Sequence, residues 1–213
     1  MGIMSFIEVS AFAVMTFFIA KFGTLALAAH QITFQFLGLM ITFVFAMSQA
    51  VTVRVGHAVG AVDRSSVVYA IVTGLLLNKG IVFVMAFLIW RFADPLIALD
   101  VNTHHVNNIS LVAQATNLFH VVAILLVFDN FRIIGFGALR GIKDTKFPML
   151  SSLIAFWIIG LGLGLIFNSL YHAHTVGMWL GMSAGISVGA IIVVWRLVNR
   201  LKHIDLHVIR AVA

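Results

Sequence analysis

The chain has 213 residues, of which 62% are hydrophobic and only 9% are charged, and its mean hydropathy is +1.12. A soluble domain is usually about 45–50% apolar and about 25% charged, so this composition excludes an ordinary water-soluble fold and indicates a protein whose solvent is lipid. The net charge of +6 would suggest a nucleic-acid ligand in a soluble protein. Here the basic residues separate apolar segments, so membrane lipid is the expected partner and nucleic acid is not.

Six apolar segments are long enough, or nearly long enough, to cross a bilayer, because a spanning helix needs about 20 residues. Apolar residues follow one another within these segments and do not alternate with polar ones, which predicts helices and not a β-barrel. The predicted fold is all-α and polytopic, with a transmembrane unit at residues 1–198 and a cytoplasmic tail at 199–213. The predicted helices cover residues 3–20, 25–53, 67–90, 109–139, 148–170 and 176–198.

The basic residues between these segments predict the orientation of the chain. Nine of them fall on the side that holds the N-terminus, termed side A, and two fall on the opposite side B. Since loops rich in lysine and arginine stay in the cytoplasm, side A and both termini are predicted to be cytoplasmic. The side A residues are Arg54, Arg64, Arg140, Lys143, Lys146, Arg196, Arg200, Lys202 and Arg210, and the side B residues are Lys21 and Arg91.

Several functional classes have no support in the sequence. Neither GxxxxGK[ST] nor GxGxxG occurs, so ATP is not the expected energy source. Nothing resembles a Ser-His-Asp or paired-carboxylate hydrolase centre, so the chain is not expected to be an enzyme. There is no cysteine, and the histidines in the predicted outer loops lack carboxylate partners at metal-like spacing. Neither a structural metal nor an organic cofactor is expected.

Two of the seven acidic residues, Glu8 and Asp129, fall inside predicted membrane helices. A carboxylate at the centre of a membrane helix costs about 2.5–3.5 kcal/mol on insertion scales, so these residues are expected to face the bundle interior or a wet cavity. Burial disfavours the charged form of a carboxyl group, and a proton or a monovalent cation can then bind it. The alternatives are an interfacial position for Glu8 and, for Asp129, an ion pair with Arg132 one helical turn away.

Four short blocks carry a resemblance to a known family. They are LAAHQI at residues 27–32, VTVRVGHAVGA at 51–61, GALRGIKDTKFP at 137–148 and GMW at 177–179. In this order and at these helix ends, the sequence resembles the MATE (multidrug and toxic compound extrusion) family, and in particular its NorM-like bacterial branch. The resemblance extends over essentially the whole chain.

The resemblance implies a specific architecture and activity. The family has twelve transmembrane helices in two six-helix lobes, and this chain resembles the C-terminal lobe. A second lobe is therefore expected from another chain or from a homodimer. The implied activity is secondary active multidrug efflux in a bacterial inner membrane, in which Na⁺ or H⁺ is exchanged for organic, often cationic, compounds. Two alternatives stay open: a non-transporting fragment, and a lipid-linked saccharide flippase of the same superfamily, which Lys79 and Arg132 would suit.

The resemblance also implies roles for individual residues. Acids at the positions of Glu8 and Asp129 help to bind the coupling cation in the family. Arg132 departs from the family, where a neutral polar residue is expected, and its fixed charge would compete with a bound cation. Lys79 lies in the middle of the third predicted helix, where it either counters one of the two acids or extends towards an interface.

The candidate substrate-cavity residues are polar or aromatic side chains of the predicted helices. Gln31 and Gln35 are one turn apart on the second predicted helix, so they share a face and either line a cavity or bond to a neighbouring helix. Phe12 is a candidate contact for aromatic cations, or else a packing residue, and Arg132 belongs to the same candidate set. Four glycines of the sixth predicted helix recur every four residues, which predicts close helix packing; they are Gly177, Gly181, Gly185 and Gly189.

Overall fold

A computed structural model describes residues 2–103, 105 and 108–203. The protein is all-α, and six of its helical segments are long and apolar enough to cross a membrane, which confirms the predicted six-helix fold. The helices are α1 Gly2–Ala20, α2 Thr24–Gly60, α3 Arg64–Arg91, α4 Ala93–Ile97, α5 Ile109–Gly141, α6 Lys146–Ser152, α7 Leu161–Tyr171 and α8 His174–Lys202, with a π-helix Leu153–Gly160 between α6 and α7.

α3 begins after a capping residue, Asp63, and ends at a charged one, Arg91. Asp63 caps the start of α3 by accepting hydrogen bonds from the amides of Ser65 and Ser66. α2 continues beyond the predicted boundary at residue 53 and reaches Gly60, and α8 continues to Lys202. The last part of the predicted tail, residues 204–213, lies outside the described residues.

α5 is the central helix of the bundle, since it packs against α2, α3, α4 and α8. Its side A half is buried almost without interruption, whereas α1 and α3 bury only narrow stripes and expose the rest. The Ser48 hydroxyl of α2 donates to the Ile133 carbonyl at 2.7 Å, and the Thr52 hydroxyl donates to the Gly137 carbonyl at 2.9 Å. These side chain to backbone bonds fix α2 closely against α5.

The glycine repeat of α8 packs directly against the π-helix and α7. A Cβ added at Gly181 would overlap the backbone of Gly164, and one added at Gly185 would meet the backbone nitrogen of Gly160 at 2.7 Å. The predicted close packing of this face is confirmed. The π-helix turn brings the Ala155 carbonyl against Gly185, so this irregular segment and the glycine face depend on each other.

Gly185→Ala is expected to lower the free energy of unfolding by about 1–3 kcal/mol, because the new methyl group overlaps backbone atoms that cannot rotate away. Gly162→Ala is the matched control, since a Cβ there meets no atom within 4 Å. Thermal unfolding of both variants in detergent micelles measures the difference. Equal melting temperatures for the two variants would contradict this packing.

A charged cluster ties the loop after α5 to the end of α8. Asp144 is 8% exposed, and its Oδ2 accepts from Arg196 Nε at 3.0 Å and from Arg200 Nε at 2.9 Å. Burial alone would raise the pKa of Asp144, but the hydrogen bonds and charges of Arg200 and Arg196 outweigh it and lower that pKa. The cluster therefore stabilises the fold with Asp144 ionised.

Asp144→Asn is expected to destabilise the protein by about 1–2 kcal/mol at neutral pH, since it removes two charge-assisted hydrogen bonds whose arginines are partly exposed. Because the pKa of Asp144 is lower in the folded protein, its stabilisation is complete above the unfolded pKa of about 3.9 and is lost as the pH falls below it. Melting temperatures of the wild type and variant should therefore converge in acid. A gap that persists unchanged at pH 3 would contradict this assignment.

Candidate functional site

Glu8 lies on the buried stripe of α1. Ala11, Met15 and Ile19 are each fully buried at helical spacing from it, and Glu8 itself is 8% exposed. This periodicity turns the carboxylate towards α5 and the π-helix, whereas its neighbours Phe6 and Val9 are exposed. Glu8 is thus an interior acid of the helical bundle.

Arg132 connects the two intramembrane acids. Its Nη1 donates to Glu8 Oε1 at 2.6 Å, and its Nε donates to Asp129 Oδ1 at 2.5 Å. Asp129 and Arg132 are each 1% exposed and lie one turn apart on α5. The ion pair between Asp129 and Arg132 is one of the predicted alternatives. The bridge from Arg132 to Glu8 joins residues 124 positions apart, and sequence spacing does not indicate it.

The buried cluster Glu8–Arg132–Asp129 has a net charge of −1 when both carboxylates are ionised, and Arg140 is a further positive charge that interacts with Glu8 without an ion-pair contact. Two negative charges face one guanidinium, so the net charge is −1 in an environment where an unpaired charge costs several kcal/mol. Asp129 Oδ2 is buried and has no hydrogen-bond partner among the described residues. A proton or a monovalent cation bound there would neutralise the cluster, so its chemistry suits reversible binding of one cation.

Hydrogen bonds and aromatic rings hold the cluster in place. The Ser152 hydroxyl donates to Glu8 Oε1 at 2.8 Å, which joins the end of α6, just before the π-helix, to α1. The rings of Phe156 and Phe136 lie 4.8 and 5.1 Å from the guanidinium of Arg132. Such contacts are favourable in a dry site. The cluster is therefore enclosed by α1, α5 and the π-helix.

A second polar pair extends the buried network to α3. Asn78 donates from its amide to the side chain of Asn130, and both residues are at most 1% exposed. Asn130 is the neighbour of Asp129 on α5. Neither asparagine is among the residues predicted from the sequence, although an amide in the middle of an apolar helix is a detectable signal.

Lys79 does not counter Glu8 or Asp129. It lies on the exposed face of α3, whereas its neighbour Asn78 points into the bundle. Arg132 occupies the position between the two acids instead. Of the two predicted alternatives for Lys79, the one in which it counters an acid is therefore wrong, because the helical twist turns residue 79 away from the side on which residue 78 is buried.

Phe12 is half-buried in an aromatic cluster. Its ring lies 5.2 Å from Phe34, 5.8 Å from Phe156 and 6.4 Å from Trp179. These distances are typical of packed aromatic pairs. Phe156 also contacts Arg132, so Phe12 supports the wall of the acidic cluster through that ring.

His30 is buried beside this aromatic cluster with both ring nitrogens occupied. Trp179 donates from Nε1 to His30 Nδ1 at 3.2 Å, and Thr16 Oγ1 lies 2.8 Å from His30 Nε2. Because an indole nitrogen only donates, Nδ1 must accept and the neutral ring carries its proton on Nε2. The Thr16 hydroxyl then accepts from the histidine and donates to the Phe12 carbonyl at 2.9 Å. This chain of hydrogen bonds joins α1, α2 and α8.

Gln31 and Gln35 lie on an exposed face of α2 and not in the buried cluster. Thr42, two turns further along, lies on the same exposed face. Polar side chains on the outside of a membrane helix are unfavourable against lipid. This face is therefore suited to contact with water, a ligand or another protein surface.

The described residues contain no group of three or more His, Asp or Glu side chains arranged to hold a metal ion. The acidic cluster has two carboxylates and an arginine, which is a poor donor set for a divalent metal but acceptable for a proton or a monovalent cation.

The MatE family model matches residues 1–166 of the chain. A probable multidrug resistance protein NorM from Deinococcus radiodurans is 31% identical over 195 residues, which is 92% of this chain and 43% of the relative. The multidrug resistance protein MdtK from Cronobacter sakazakii is 32% identical over 196 residues, or 90% of this chain and 42% of the relative. The chain thus spans less than half the length of these relatives.

Solved transporters have the same arrangement of helices. A crystal structure of a mutant MATE protein superimposes with a TM-score of 0.84 at 16% identity, and the match covers 93% of this chain and 43% of that protein. A MOP superfamily transporter from Pyrococcus furiosus gives a TM-score of 0.85 at 17% identity, with 93% and 44% covered. At these identities the likeness establishes the fold alone.

Proposed function

The chain belongs to the MATE family, and on that basis we propose that it forms the C-terminal half of a secondary active multidrug exporter. The observation that supports this function best is the buried cluster of Glu8, Arg132 and Asp129, with its net charge of −1 and the unpartnered oxygen of Asp129. Multidrug resistance proteins from several bacteria are similar along more than 90% of the chain. The chain is a membrane transporter component and not an enzyme.

In the proposed mechanism, one Na⁺ or H⁺ neutralises the cluster at Asp129. Glu8 and Asp129 supply the negative charge, and Arg132 holds both carboxylates in place while leaving one charge uncompensated. Entry of the cation down its gradient favours one conformation, and its release to the other side favours the alternative one. The protein exchanges the cation for the organic compound because the conformation that binds the compound forms only after the cation has left.

The proposed substrate surface is the exposed polar face of α2. Gln31, Gln35 and Thr42 lie along this face, and aromatic residues such as Phe43 are exposed beside it. Amides and rings together suit organic cations, which need weak polar contacts and apolar area. A second lobe, from another chain or a second copy, would close this face into a cavity.

The proposed location is a bacterial inner membrane, with side A in the cytoplasm. The supporting observations are the excess of lysine and arginine on side A and the bacterial origin of the similar NorM and MdtK proteins. A cation gradient across that membrane would supply the driving force.

Efflux of a fluorescent organic cation from exporter-deficient cells tests the proposal. Cells that express the chain, alone or with the N-terminal half of the Deinococcus radiodurans relative, should lose preloaded dye faster than empty cells. The advantage should disappear when an ionophore collapses the cation gradients. Efflux that is unchanged by the ionophore, or no faster than in empty cells in either configuration, would contradict a secondary exporter.

A further inference from the structure

A cavity of about 610 Å³ lies between α2 and α3 at the side A end of the bundle, apart from the acidic cluster and from the polar face of α2. Its volume falls in the range of small-ligand sites, about 300–1,000 Å³. The two helices run antiparallel, and the lining extends from Ala61 and Asp63 in the connecting turn to Met47 on α2 and Leu77 on α3. The proposed transport function assigns no role to this cavity.

The lengths of α2 and α3 indicate where the cavity lies relative to a bilayer. α2 has 37 residues and is therefore about 55 Å long, whereas the hydrocarbon core of a bilayer is about 30 Å thick. Because the polar residues Arg54 and His57 lie in its C-terminal turns, we expect these turns to reach the headgroup level. Tyr69 is 73% exposed at the same level of α3, where tyrosine is favoured at membrane interfaces. The bottom of the cavity, between Met47 and Leu77, lies at hydrocarbon depth.

The rim presents one permanent positive and one permanent negative charge. Arg54 is exposed, and no carboxylate of the described ranges lies within ion-pair distance of it. On the α3 side, hydrogen bonds from the hydroxyls of Ser66 and Ser65 lower the pKa of Asp63 to about 2, so its carboxylate stays ionised at any physiological pH. His57 adds a further hydrogen-bonding group beside Arg54. A ligand with one charge of each sign matches this rim better than an anion does.

From this geometry we infer that the cavity between α2 and α3 binds a phospholipid of the phosphatidylethanolamine class. Arg54 and His57 contact the phosphate, and the carboxylate of Asp63 accepts hydrogen bonds from the primary ammonium group. One acyl chain extends along Ala50 and Thr73 towards Met47 and Leu77. Phosphatidylcholine fits less well because its quaternary ammonium has no N–H to donate, and phosphatidylglycerol fits less well because it has no cationic group to pair with Asp63.

Native mass spectrometry of the full chain in detergent tests this site with phosphatidylethanolamine, phosphatidylcholine and phosphatidylglycerol of identical acyl chains. The wild type is expected to retain phosphatidylethanolamine about fivefold or more above the other two. Arg54→Gln should lower that retention by about tenfold, the change expected for one lost charge-assisted contact. Lys202→Gln removes an exposed positive charge on the same side outside the cavity and should leave retention unchanged.

Asp63→Asn tests the contact with the ammonium group of the lipid separately from the contact with its phosphate. Asparagine caps a helix as well as aspartate does, so α3 keeps its start while the rim loses its negative charge. The preference should then shift from phosphatidylethanolamine to phosphatidylglycerol. The inference is overturned if the wild type retains the three lipids equally or prefers phosphatidylcholine or phosphatidylglycerol. It is also overturned if Arg54→Gln, with a wild-type melting temperature, retains phosphatidylethanolamine as the wild type does.

Discussion

Arg132→Gln is expected to destabilise the protein by about 3–5 kcal/mol at neutral pH, well above the cost of losing a partly exposed ion pair. The variant leaves Glu8 and Asp129 buried without their shared partner, so the cluster changes from a net charge of −1 to −2. Protonation removes that repulsion, and the stability of the variant should therefore recover as the pH is lowered. Thermal unfolding in detergent between pH 5 and 8 measures both effects.

The double variant Arg132→Gln with Asp129→Asn is the compensating control. It restores a net charge of −1 to the cluster, so it should regain part of the lost stability. Arg91→Gln removes an arginine that is exposed at the end of α3 and should change the melting temperature little. If the Arg132 and Arg91 variants melted alike, or if the double variant were less stable than the Arg132 variant at pH 8, the bridging role of Arg132 would be wrong.

Asp129→Asn is expected to abolish cation-driven efflux while leaving the protein folded in the membrane. The amide keeps the shape of the side chain but removes its charge, so the cluster becomes neutral with Glu8 and Arg132 alone and no longer needs an additional cation. The initial efflux rate is expected to fall by about 100-fold or more, an effect as large as the loss of a positioned proton-transfer group in an enzyme. Dye efflux at matched membrane abundance measures it.

Asp100→Asn is the matched control for this substitution. Asp100 is an exposed acid on the loop between α4 and α5, so the change has the same chemistry and lies outside the cluster. Efflux by Asp100→Asn should equal that of the wild type. Equal efflux by Asp129→Asn and the wild type would show that Asp129 is not part of the coupling site.

The fold was largely predictable from the sequence, because hydropathy alone decides which segments can span a bilayer. The long apolar segments predicted all six membrane-crossing segments, and the glycine spacing of α8 predicted its packed face. The π-helix at Leu153–Gly160 was not predictable in the same way. Its sequence is uniformly apolar and carries no local signal for an extra residue per turn, and the close approach of its Ala155 carbonyl to Gly185 is a tertiary contact.

The candidate site was predictable only in part. Glu8 and Asp129 are conspicuous because carboxylates inside membrane helices are rare, and the spacing of Asp129 and Arg132 indicates a local pair. The bridge from Arg132 to Glu8, and the hydrogen bond from Ser152, depend on how α1, α5 and the π-helix pack, which no local pattern encodes. The position of Lys79 was open for the same reason, since its side of α3 is set by packing.

Transport in proteoliposomes by the purified chain, alone and together with the N-terminal half of the Deinococcus radiodurans relative, is the most direct test of the central claim that the cluster at Asp129 couples a cation to export. Under an imposed Na⁺ or pH gradient, the wild type should accumulate a fluorescent organic cation in at least one of these two configurations and only while the gradient is present. The effective gradient identifies the coupling ion. Asp129→Asn should accumulate none, and Asp100→Asn should match the wild type. Accumulation that is independent of both gradients, or that persists in Asp129→Asn, would contradict that claim.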